Sequence, residues 1–592
     1  MVDKNTKLKW RRGFRKRRQR ATEIGSSTDE GLERHFIKRL TNLPNIQRFL
    51  IGWVGLLFLL IVGLVLQSRA LSTKYQTVQA KPGGNYSEGI IGSFTNANPL
   101  YASSSVDSSV SRLLFSGLLK HDEQNKLVGD LAKEWSFDST ETIYTVKLRE
   151  NLKWHDGKPL TAKDVVFTYN LIQNPEAKSY LNASWQNIKI EAPDENTVVF
   201  TLSNSLSSFP YSLTNGILPE HIIGKVNPAQ LRSNSFNNTD PVGSGPFKFS
   251  KVEVVGNTPD DRQERIALNA FDSYHFGRPK LDNFIVRTFG NETSLTGAYT
   301  DKQINAMVGL ASLPDQLIGK PDTTEFGIPL SGEVLVFFKT TQDVLKDPAV
   351  RKALVLGADK KELLKQVQHP LASANGPLLK SHVGYDKSLQ QITGKPDEAR
   401  KALDAAGWVV DPATGIRSKD GQKLSFRLYS QTTSEYSAVA GTLQKQWRDI
   451  GVDMKVELQS DQELQSTLAL HNYDALLYGI SIGADPDVFA YWHSSQGDPR
   501  SSTRLNFSEY KSTAADQALE AGRTRSDPLL RTVKYKPFLE AWNTDAPALA
   551  LYQPRFLYVS RIPFYNFDVK AANSSGDRYA NVEKWMIREG RQ

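Results

Sequence analysis

The sequence predicts a mixed α/β (α+β) protein of two or three lobes, preceded by one transmembrane helix. Its 592 residues exceed the roughly 250–300 residues at which a single hydrophobic core stops growing. Strand-like and helix-like segments mix without strict alternation, and the sequence shows no repeat of solenoid period. One uncharged apolar stretch near the N-terminus predicts the membrane span.

The first 48 residues form a basic tail. They hold 14 Lys/Arg and 5 Asp/Glu, out of 73 and 64 in the chain, which leaves 59 residues of each sign in the remainder. A neutral body argues against a nucleic-acid-binding domain there. The tail itself has the composition of a solvated, disordered segment, and it can bind either anionic lipid or nucleic acid.

The predicted membrane helix covers residues 49–66. These 18 uncharged residues would span about 27 Å as a helix, enough for a hydrocarbon core. The positive-inside rule places residues 1–48 in the cytoplasm and the chain after Leu66 outside the cell membrane. A signal peptide cleaved after Ala70 or Ala80 is the alternative, but the charged region and the apolar stretch are both too long for one.

Residues 67–84 read as a polar linker that ends in Lys-Pro-Gly-Gly, and the body follows at 85–592. Tyr144, Val146 and Leu148 alternate with polar residues, as in a half-buried strand. Thr161 with Asp164 predicts a capped helix start. This mixture of elements extends through the rest of the body.

Further signals lie in the second half of the chain. Asp347-Pro348 predicts the start of a helix that runs to about Leu356. Residues 397–406 predict another helix, with Gly407 as its left-handed stop. Residues 473–478 are apolar and short, which predicts a sheet strand.

A Gly-x-Ser-x-Gly pattern follows that strand at residues 479–483. It is the pattern of a hydrolase nucleophile elbow, which would make Ser481 the nucleophile. Such an elbow requires a helix to begin at the serine, whereas Asp485-Pro486 predicts a helix start about five residues later. A strand that ends in a loop is therefore the simpler interpretation, with Asp485 and Asp487 as helix caps.

Metal and cofactor chemistry finds no support in the sequence. The chain has no cysteine, and its nine histidines are scattered without paired ligand spacing. The Gly243-Ser244-Gly245 turn lacks the ending of a phosphate loop, and Pro246 removes a backbone donor. We therefore predict no metal, no cofactor and no catalytic residue.

Six segments of the body carry a family resemblance. The most specific is YTVKLRENLKWHDGKPLTAKDVVFTYN, residues 144–170. The others are GDLAKEW (129–135), DPVGSGPFKF (240–249), DPAVRKALVLGADKKELL (347–364), ARKALDAAGW (399–408) and the region around Asp485-Pro486. In their order along the chain, these six segments resemble the family 5 extracytoplasmic solute-binding proteins, the peptide and nickel binders that feed ABC importers. The resemblance spans about residues 85–590.

The resemblance implies a bilobed periplasmic-binding-protein-like fold with an extra small lobe. Lobe I would comprise about 85–120, 192–320 and 546–592, lobe II about 121–191, and lobe III about 321–545. The ligand, a peptide or another small solute, would lie between lobes I and III, which close on it by a hinge. ABC permease subunits would then recognise the closed form.

The resemblance also implies site residues. Asn98 and Tyr101 follow the first exported strand, where the family often places a ligand-facing loop. Tyr478, Gly479 and Ser481 would lie on the strand edge that lines the cleft, and Asp485, in the loop after it, is a further candidate ligand-binding residue. Two alternatives remain: a serine hydrolase using Ser481, and a membrane-tethered binder of nucleic acid or anionic lipid that acts through the tail.

One departure from the family concerns the ligand. Peptide-binding members have a segment like G-W-x-x-D-x-x-[DE]-P, whose first acid pairs with the peptide's amino group. Here that acidic position falls on Ile482 or Gly483. We therefore expect that the ligand is not a peptide held by its free amine, unless Asp485 replaces the missing carboxylate.

Overall fold

The computed structural model describes residues 47–75, 78–256, 262–367, 371–501 and 504–591, so the basic tail up to residue 46 lies outside it. The chain divides into two units, and the first is Met1–Gln79 with Gly590–Gln592. That unit contains helix α1 (Gln47–Tyr75). Its segment Phe49–Arg69 has a mean hydropathy of 2.9 and is not buried. This segment is long and apolar enough for one membrane span.

The remaining elements follow in chain order. The strands are β1 (Val78–Lys81), β2 (Asn85–Ile91), β3 (Leu119–His121), β4 (Leu127–Gly129), β5 (Ala132–Phe137), β6 (Ile143–Leu148), β7 (Lys189–Asp194), β8 (Thr197–Thr201), β9 (Phe247–Val255), β10 (Gln263–Ala270), β11 (Asn283–Phe289), β12 (Ala306–Val308), β13 (Thr323–Pro329), β14 (Gly332–Phe338), β15 (Ala372–Ser373), β16 (Val409–Val410), β17 (Arg417–Lys419), β18 (Gln422–Lys423), β19 (Ser425–Gln431), β20 (Asp453–Gln459), β21 (Ala475–Ser481), β22 (Ala548–Gln553), β23 (Arg555–Arg561) and β24 (Arg588–Arg591). The helices after α1 are α2 (Ser105–Leu114), α3 (Ala162–Gln173), α4 (Asn182–Trp185), α5 (Phe209–Ser212), α6 (Glu220–Ile223), α7 (Glu292–Thr300), α8 (Pro348–Gly357), α9 (Lys360–Lys365), α10 (Pro396–Ala405), α11 (Ser434–Asp449), α12 (Asp461–Leu470), α13 (Phe489–Trp492), α14 (Thr513–Arg523) and α15 (Pro528–Asp545).

Three sheets organise the second unit, Ala80–Glu589. A seven-stranded sheet, in the order β13-β23-β12-β2-β11-β10-β9, forms lobe I. A four-stranded sheet, β5-β6-β8-β7, forms the small lobe II, and a six-stranded sheet, β15-β22-β14-β21-β19-β20, forms lobe III. One hydrophobic core joins lobes I and II, and two separate cores cover opposite faces of the lobe III sheet. The predicted mixed α/β fold with an extra small lobe is present.

The limits of the sheets lie up to about ten residues from the predicted lobe boundaries. The expected end of lobe II at residue 191 falls inside β7, and the lobe II sheet continues through β8 to Thr201. The expected start of lobe III at 321 precedes β13, which pairs with β23 in lobe I. Likewise β22 pairs with β14 in lobe III, so that lobe extends to Gln553 rather than 545. Each shift arises because strand pairing is a long-range property that local sequence does not reveal.

The chain crosses between lobes I and III at two adjacent places. It passes from β13 to β14 through Leu330-Ser331, and from β22 to β23 through Pro554. Leu330 N–H donates to the Pro554 carbonyl at 2.9 Å, and the Gln553 amide donates to the Leu330 carbonyl at 2.8 Å. A paired crossover of this kind is where a hinge rotation would concentrate.

The local sequence signals give the expected elements. Asp347 accepts a hydrogen bond from Ala349 N–H at 2.9 Å and caps α8. Thr161 N–H donates to the Asp164 carboxylate at 2.9 Å at the start of α3. Gly407 has φ of +82° just after α10, as a left-handed helix stop requires.

Candidate ligand-binding site

The C-terminal half of β21 has one open edge. On one side β21 pairs with β14, with Glu333 opposite Ile480, and Ile482 N–H donates to the Ser331 carbonyl at 2.9 Å. On the other side β19 accompanies β21 only from residue 475 to 477. Because hydrogen-bonded pairs alternate in an antiparallel ladder, the backbone groups of Gly479 and Ser481 point away from β14. They point to the side on which β19 no longer pairs with β21.

Position 479 requires glycine because a neighbouring side chain lies close to its backbone, and not because the chain turns there. A Cβ atom at this position would lie 2.9 Å from the Tyr436 hydroxyl of helix α11. One face of the sheet is therefore closed at the open edge by Tyr436. The opposite face carries Tyr478 and Ile480, which point toward helix α12.

A cavity of about 380 Å³ lies on that opposite face. Its lining residues come from α12, β21, α13 and the loop before residue 508, all within lobe III. They are Gln465, Leu468, Ala469, Tyr478, Gly479, Ile480, Ser481, Tyr491, Arg504, Leu505 and Phe507. The Tyr491 hydroxyl donates to the Ser481 carbonyl at 2.7 Å, which fixes the mouth of this cavity beside the open edge. We call it the lobe III cavity.

Two contacts hold the loop after β21. Arg531 of α15 binds Asp485 through both carboxylate oxygens at 2.7 and 2.8 Å, and both side chains are buried. Burial opposes the charge on Arg531, but the hydrogen bonds to Asp485 raise its pKa above the ordinary value. His382 Nε2–H donates to the Gly483 carbonyl at 2.9 Å, and burial lowers the pKa of this histidine to about 4, so it stays neutral.

The prediction that Asp485 caps a helix is wrong. Helix α13 begins at Phe489 without a side-chain cap, although Asp487 accepts a long 3.4 Å hydrogen bond from Phe489 N–H. The reason is a partner distant in sequence: Arg531 offers Asp485 a bidentate, charge-assisted contact that a four-residue helix cannot match.

A second cavity, of about 350 Å³, lies between lobes I and II. Arg112 and Asp577 line it, joined by a 3.3 Å ion pair, together with His121 and Tyr211. Burial raises the pKa of Tyr211, and the charge of Asp485 raises it further.

Lobes II and III also touch directly. The Glu141 carboxylate, in the β5–β6 turn, accepts hydrogen bonds from Ser526 N–H at 2.8 Å and from its hydroxyl at 2.7 Å. Ser207 N–H donates to the Arg523 carbonyl at 2.8 Å, and the Ser205 hydroxyl donates to the Thr524 carbonyl at 2.9 Å. These contacts join the turn between α14 and α15 to lobe II and to the segment just after β8.

Glu333 is a buried carboxylate beside the crossover. It lies two residues after Ser331, has no exposed surface, and neither of its oxygens has a hydrogen-bond partner among the described residues. The charge of the Lys360 ammonium acts on Glu333, yet this ammonium donates its hydrogen bonds to Ala374 O, Asn375 Oδ1 and Ala550 O. Burial raises the pKa of Glu333 to about 8, with Lys360 acting in the opposite direction.

These features make a binding site without a nucleophile. Ser481 ends a strand, and the next helix begins eight residues later at Phe489. In the described part of the chain, no histidine or carboxylate is hydrogen-bonded to the Ser481 hydroxyl, and none lines the lobe III cavity. The geometry of a nucleophile elbow, with a helix starting at the serine, is therefore missing.

Comparison with known proteins decides the family. The model of the bacterial extracellular solute-binding proteins, family 5 middle region, matches residues 126–502, more than half of the chain. The chain belongs to the family 5 bacterial extracellular solute-binding proteins. The expectation from the sequence motifs is thereby confirmed, and this is a family of binding proteins rather than enzymes.

Individual members of family 5 resemble this chain along most of its length. The oligopeptide-binding protein AppA of Bacillus subtilis is 28% identical over 528 residues, which cover 87% of this chain and 94% of AppA. The structure of that AppA with a nonapeptide is 27% identical, with a TM-score of 0.68, and covers 86% of this chain and 100% of AppA. NikZ from Campylobacter jejuni, in complex with Ni(L-His), is 26% identical, with a TM-score of 0.70, over 85% and 99% of the two chains.

The structure separates the predicted site residues into two groups. Tyr478, Gly479 and Ser481 line the lobe III cavity, whereas Asn98, Tyr101 and the Arg531-bound Asp485 do not. Asn98 is fully buried and its amide donates to Asn237 at 3.0 Å. The Tyr101 hydroxyl donates to the Ala177 carbonyl at 2.7 Å. Both residues hold the lobe I loop in place, and their polar groups are already engaged there.

The sequence analysis did not predict five further residues around the candidate site. These are Tyr211, His382, Tyr436, Tyr491 and Arg531, and each lies more than 40 residues from the β21 loop or on a separate helix. No short motif marks them. Tyr436 had one indirect signal, because the glycine at 479 requires a close neighbour on one face of the strand.

Proposed function

We propose that this chain is a membrane-anchored receptor that binds peptides outside the cell and delivers them to an ABC importer. Family membership supports solute binding, and the AppA structure was solved with a nonapeptide bound. The observation that carries the peptide proposal is the open edge of β21 at Gly479 and Ser481. An extended peptide can add to such an edge through main-chain hydrogen bonds, with pockets reading its side chains.

The proposal also states how the peptide is held. Asp485 lies where it could replace the missing acid, but Arg531 already occupies both of its oxygens. Withdrawing Asp485 would leave Arg531 as a buried, unpaired charge, at a cost of about 3–5 kcal/mol. The peptide is therefore held through its backbone and side chains, and its amino terminus is not clamped by a carboxylate in the β21 loop.

Closure of the lobes completes the proposed mechanism. The crossovers at Leu330-Ser331 and Pro554 supply the hinge, and the contact of Glu141 with Ser526 supports a closed arrangement. Ligand that touches both lobes stabilises this arrangement over an open one, which is the differential binding that a population shift requires. ABC permease subunits would then recognise the closed form.

Anchoring follows from α1. The segment Phe49–Arg69 is exposed and apolar, as lipid contact requires, and residues 1–48 carry the basic excess that keeps a tail in the cytoplasm. We infer a single uncleaved span, with residues 67–592 outside the cell membrane. The basic tail then lies beside the anionic cytoplasmic leaflet, which attracts it.

Backbone methylation of the ligand tests the proposed function. An alanine-rich pentapeptide and its singly N-methylated analogues are titrated into the full-length chain in detergent by calorimetry. N-methylation at the residue that pairs with β21 should weaken binding about tenfold, since one hydrogen bond is lost and the strand edge is blocked. Equal affinity for all analogues, or no binding of any of them, would contradict the proposal.

A further inference from the structure

The shape of the lobe III cavity does not depend on how the lobes are arranged relative to each other. Among the residues that the structure describes, those that line it lie between Gln465 and Phe507, and none of these comes from lobe I or II. Its volume of about 380 Å³ is at the lower end of the range for ligand pockets, about 300–1,000 Å³. A cavity of this size on one lobe is large enough to receive an aromatic side chain.

The open edge of β21 aims a ligand side chain into this cavity. A peptide paired with Gly479 and Ser481 directs successive side chains to opposite faces of the sheet. One face is closed by the Tyr436 hydroxyl, which would lie 2.9 Å from a Cβ on Gly479. The other face carries Tyr478 and Ile480, and these two side chains line the cavity.

The walls of the cavity match an aromatic ring. Leu468, Ile480 and Phe507 are buried and form an apolar surface. Phe507 meets Tyr478 edge-on, with ring centroids 5.6 Å apart and planes at 76°, a geometry that a third ring can extend. The Arg504 guanidinium also lines the cavity, held by a 3.1 Å hydrogen bond from Nη1 to the Ala469 carbonyl. A fixed planar cation of this kind favours the face of an aromatic ring.

We propose that the lobe III cavity is a specificity subsite for an aromatic side chain of the bound peptide. This inference rests on the proposed function and adds what that function leaves open, namely which side chain the receptor selects. The subsite exists on lobe III alone, so an aromatic residue can dock there before the lobes close. Gln465 and Ala469, both exposed on α12, form its rim.

Filling the cavity from its rim tests the proposal. Ala469→Trp places an indole in the cavity, and Gln465→Trp does so from a second position one turn earlier on α12. Ser466→Trp is the matched control, because Ser466 is exposed on the same helix and does not line the cavity. Each variant is prepared as the full-length chain in detergent, freed of carried-over ligand by partial unfolding and refolding, and checked by its unfolding temperature.

The ligands are an all-alanine pentapeptide and a series with one phenylalanine at each position. With the wild-type chain, phenylalanine at one position should tighten binding at least tenfold, about 1.4 kcal/mol. Ala469→Trp and Gln465→Trp should abolish that gain, so that each variant binds the phenylalanine peptides no more tightly than it binds the all-alanine peptide. Ser466→Trp should retain the full gain.

Two results would overturn the subsite while leaving the proposed function intact. One is that all peptides bind the wild type with equal affinity whatever the position of phenylalanine. The other is that the phenylalanine gain survives in both cavity-filling variants. If the wild-type chain binds neither the all-alanine peptide nor any phenylalanine peptide, the subsite and the proposed peptide receptor both fail.

Discussion

Replacing Glu141 by an uncharged residue should lower the affinity for ligand without lowering the stability of the ligand-free protein. Glu141 of lobe II accepts two hydrogen bonds from Ser526 of lobe III, at 2.8 and 2.7 Å. Hydrogen bonds to a charged group contribute about 1.5–3 kcal/mol each, and partial exposure of this pair places it at the lower end. Glu141→Gln keeps an acceptor but removes the charge, so we expect a loss of about 1–2 kcal/mol from the closed form.

That loss appears in the apparent affinity because ligand must also stabilise closure. A penalty of about 1–2 kcal/mol on the closed form raises the apparent Kd by roughly 5- to 30-fold. The hinge mechanism predicts no change in the unfolding temperature without ligand, because it assigns the Glu141–Ser526 contact to the closed form alone. With saturating ligand the unfolding temperature should fall. Calorimetric titration and thermal unfolding measure the two effects.

The matched control is Glu134→Gln. Glu134 lies in the same lobe II sheet, but it pairs with Lys147 of its own lobe at 2.8 Å and is largely exposed. This control should bind like the wild type. If Glu141→Gln binds ligand as tightly as Glu134→Gln, the contact with Ser526 does not favour a closed form, and the hinge mechanism loses its support.

Three further predictions follow from the site and the anchor. Burial raises the pKa of Glu333 from 4.5 to about 8, so its protonated form stabilises the folded state at low pH, and the free energy of unfolding falls as pH rises from about 5 to 8. Glu333→Gln should flatten that decline in denaturant titrations by several kcal/mol, and parallel wild-type and variant curves would refute it. N-acetylated and free-amine peptides should bind with similar affinity because Asp485 is held by Arg531, whereas a hundredfold preference for the free amine, about 2.7 kcal/mol, would show a clamp. Protease added to intact cells should digest residues 67–592 and spare residues 1–48, and a soluble mature protein beginning near Leu71 or Lys81 would contradict the uncleaved span.

The sequence predicts elements whose causes are local. The Asp347 cap and the left-handed Gly407 depend on neighbours within a few residues, and both are present. The strand predicted at 473–478 is also present, although it runs from Ala475 to Ser481 and so includes Gly479. The order of family motifs added the expected division into three lobes. Its boundaries shifted by up to about ten residues because the pairing of β8, β13 and β22 is decided by distant strands.

The candidate site was harder to predict from the sequence, because its residues are also held by partners that are distant in the chain. Asp485 looked like a helix cap, but its partner Arg531 lies 46 residues away. Asn98 looked ligand-facing, but Asn237, 139 residues later, binds its amide. A polar residue in a loop signals function and anchoring equally well, and only its tertiary partners distinguish the two roles.

The identity of the co-purified ligand tests the central claim most directly. The full-length chain, extracted from its membrane in mild detergent, is analysed by native mass spectrometry, and the released ligand is fragmented. We predict a population of peptides that share an aromatic residue at one position and have unmodified backbones. Recovery of a single non-peptide solute, such as a metal chelate or a sugar derivative, with no peptide present, would contradict the account.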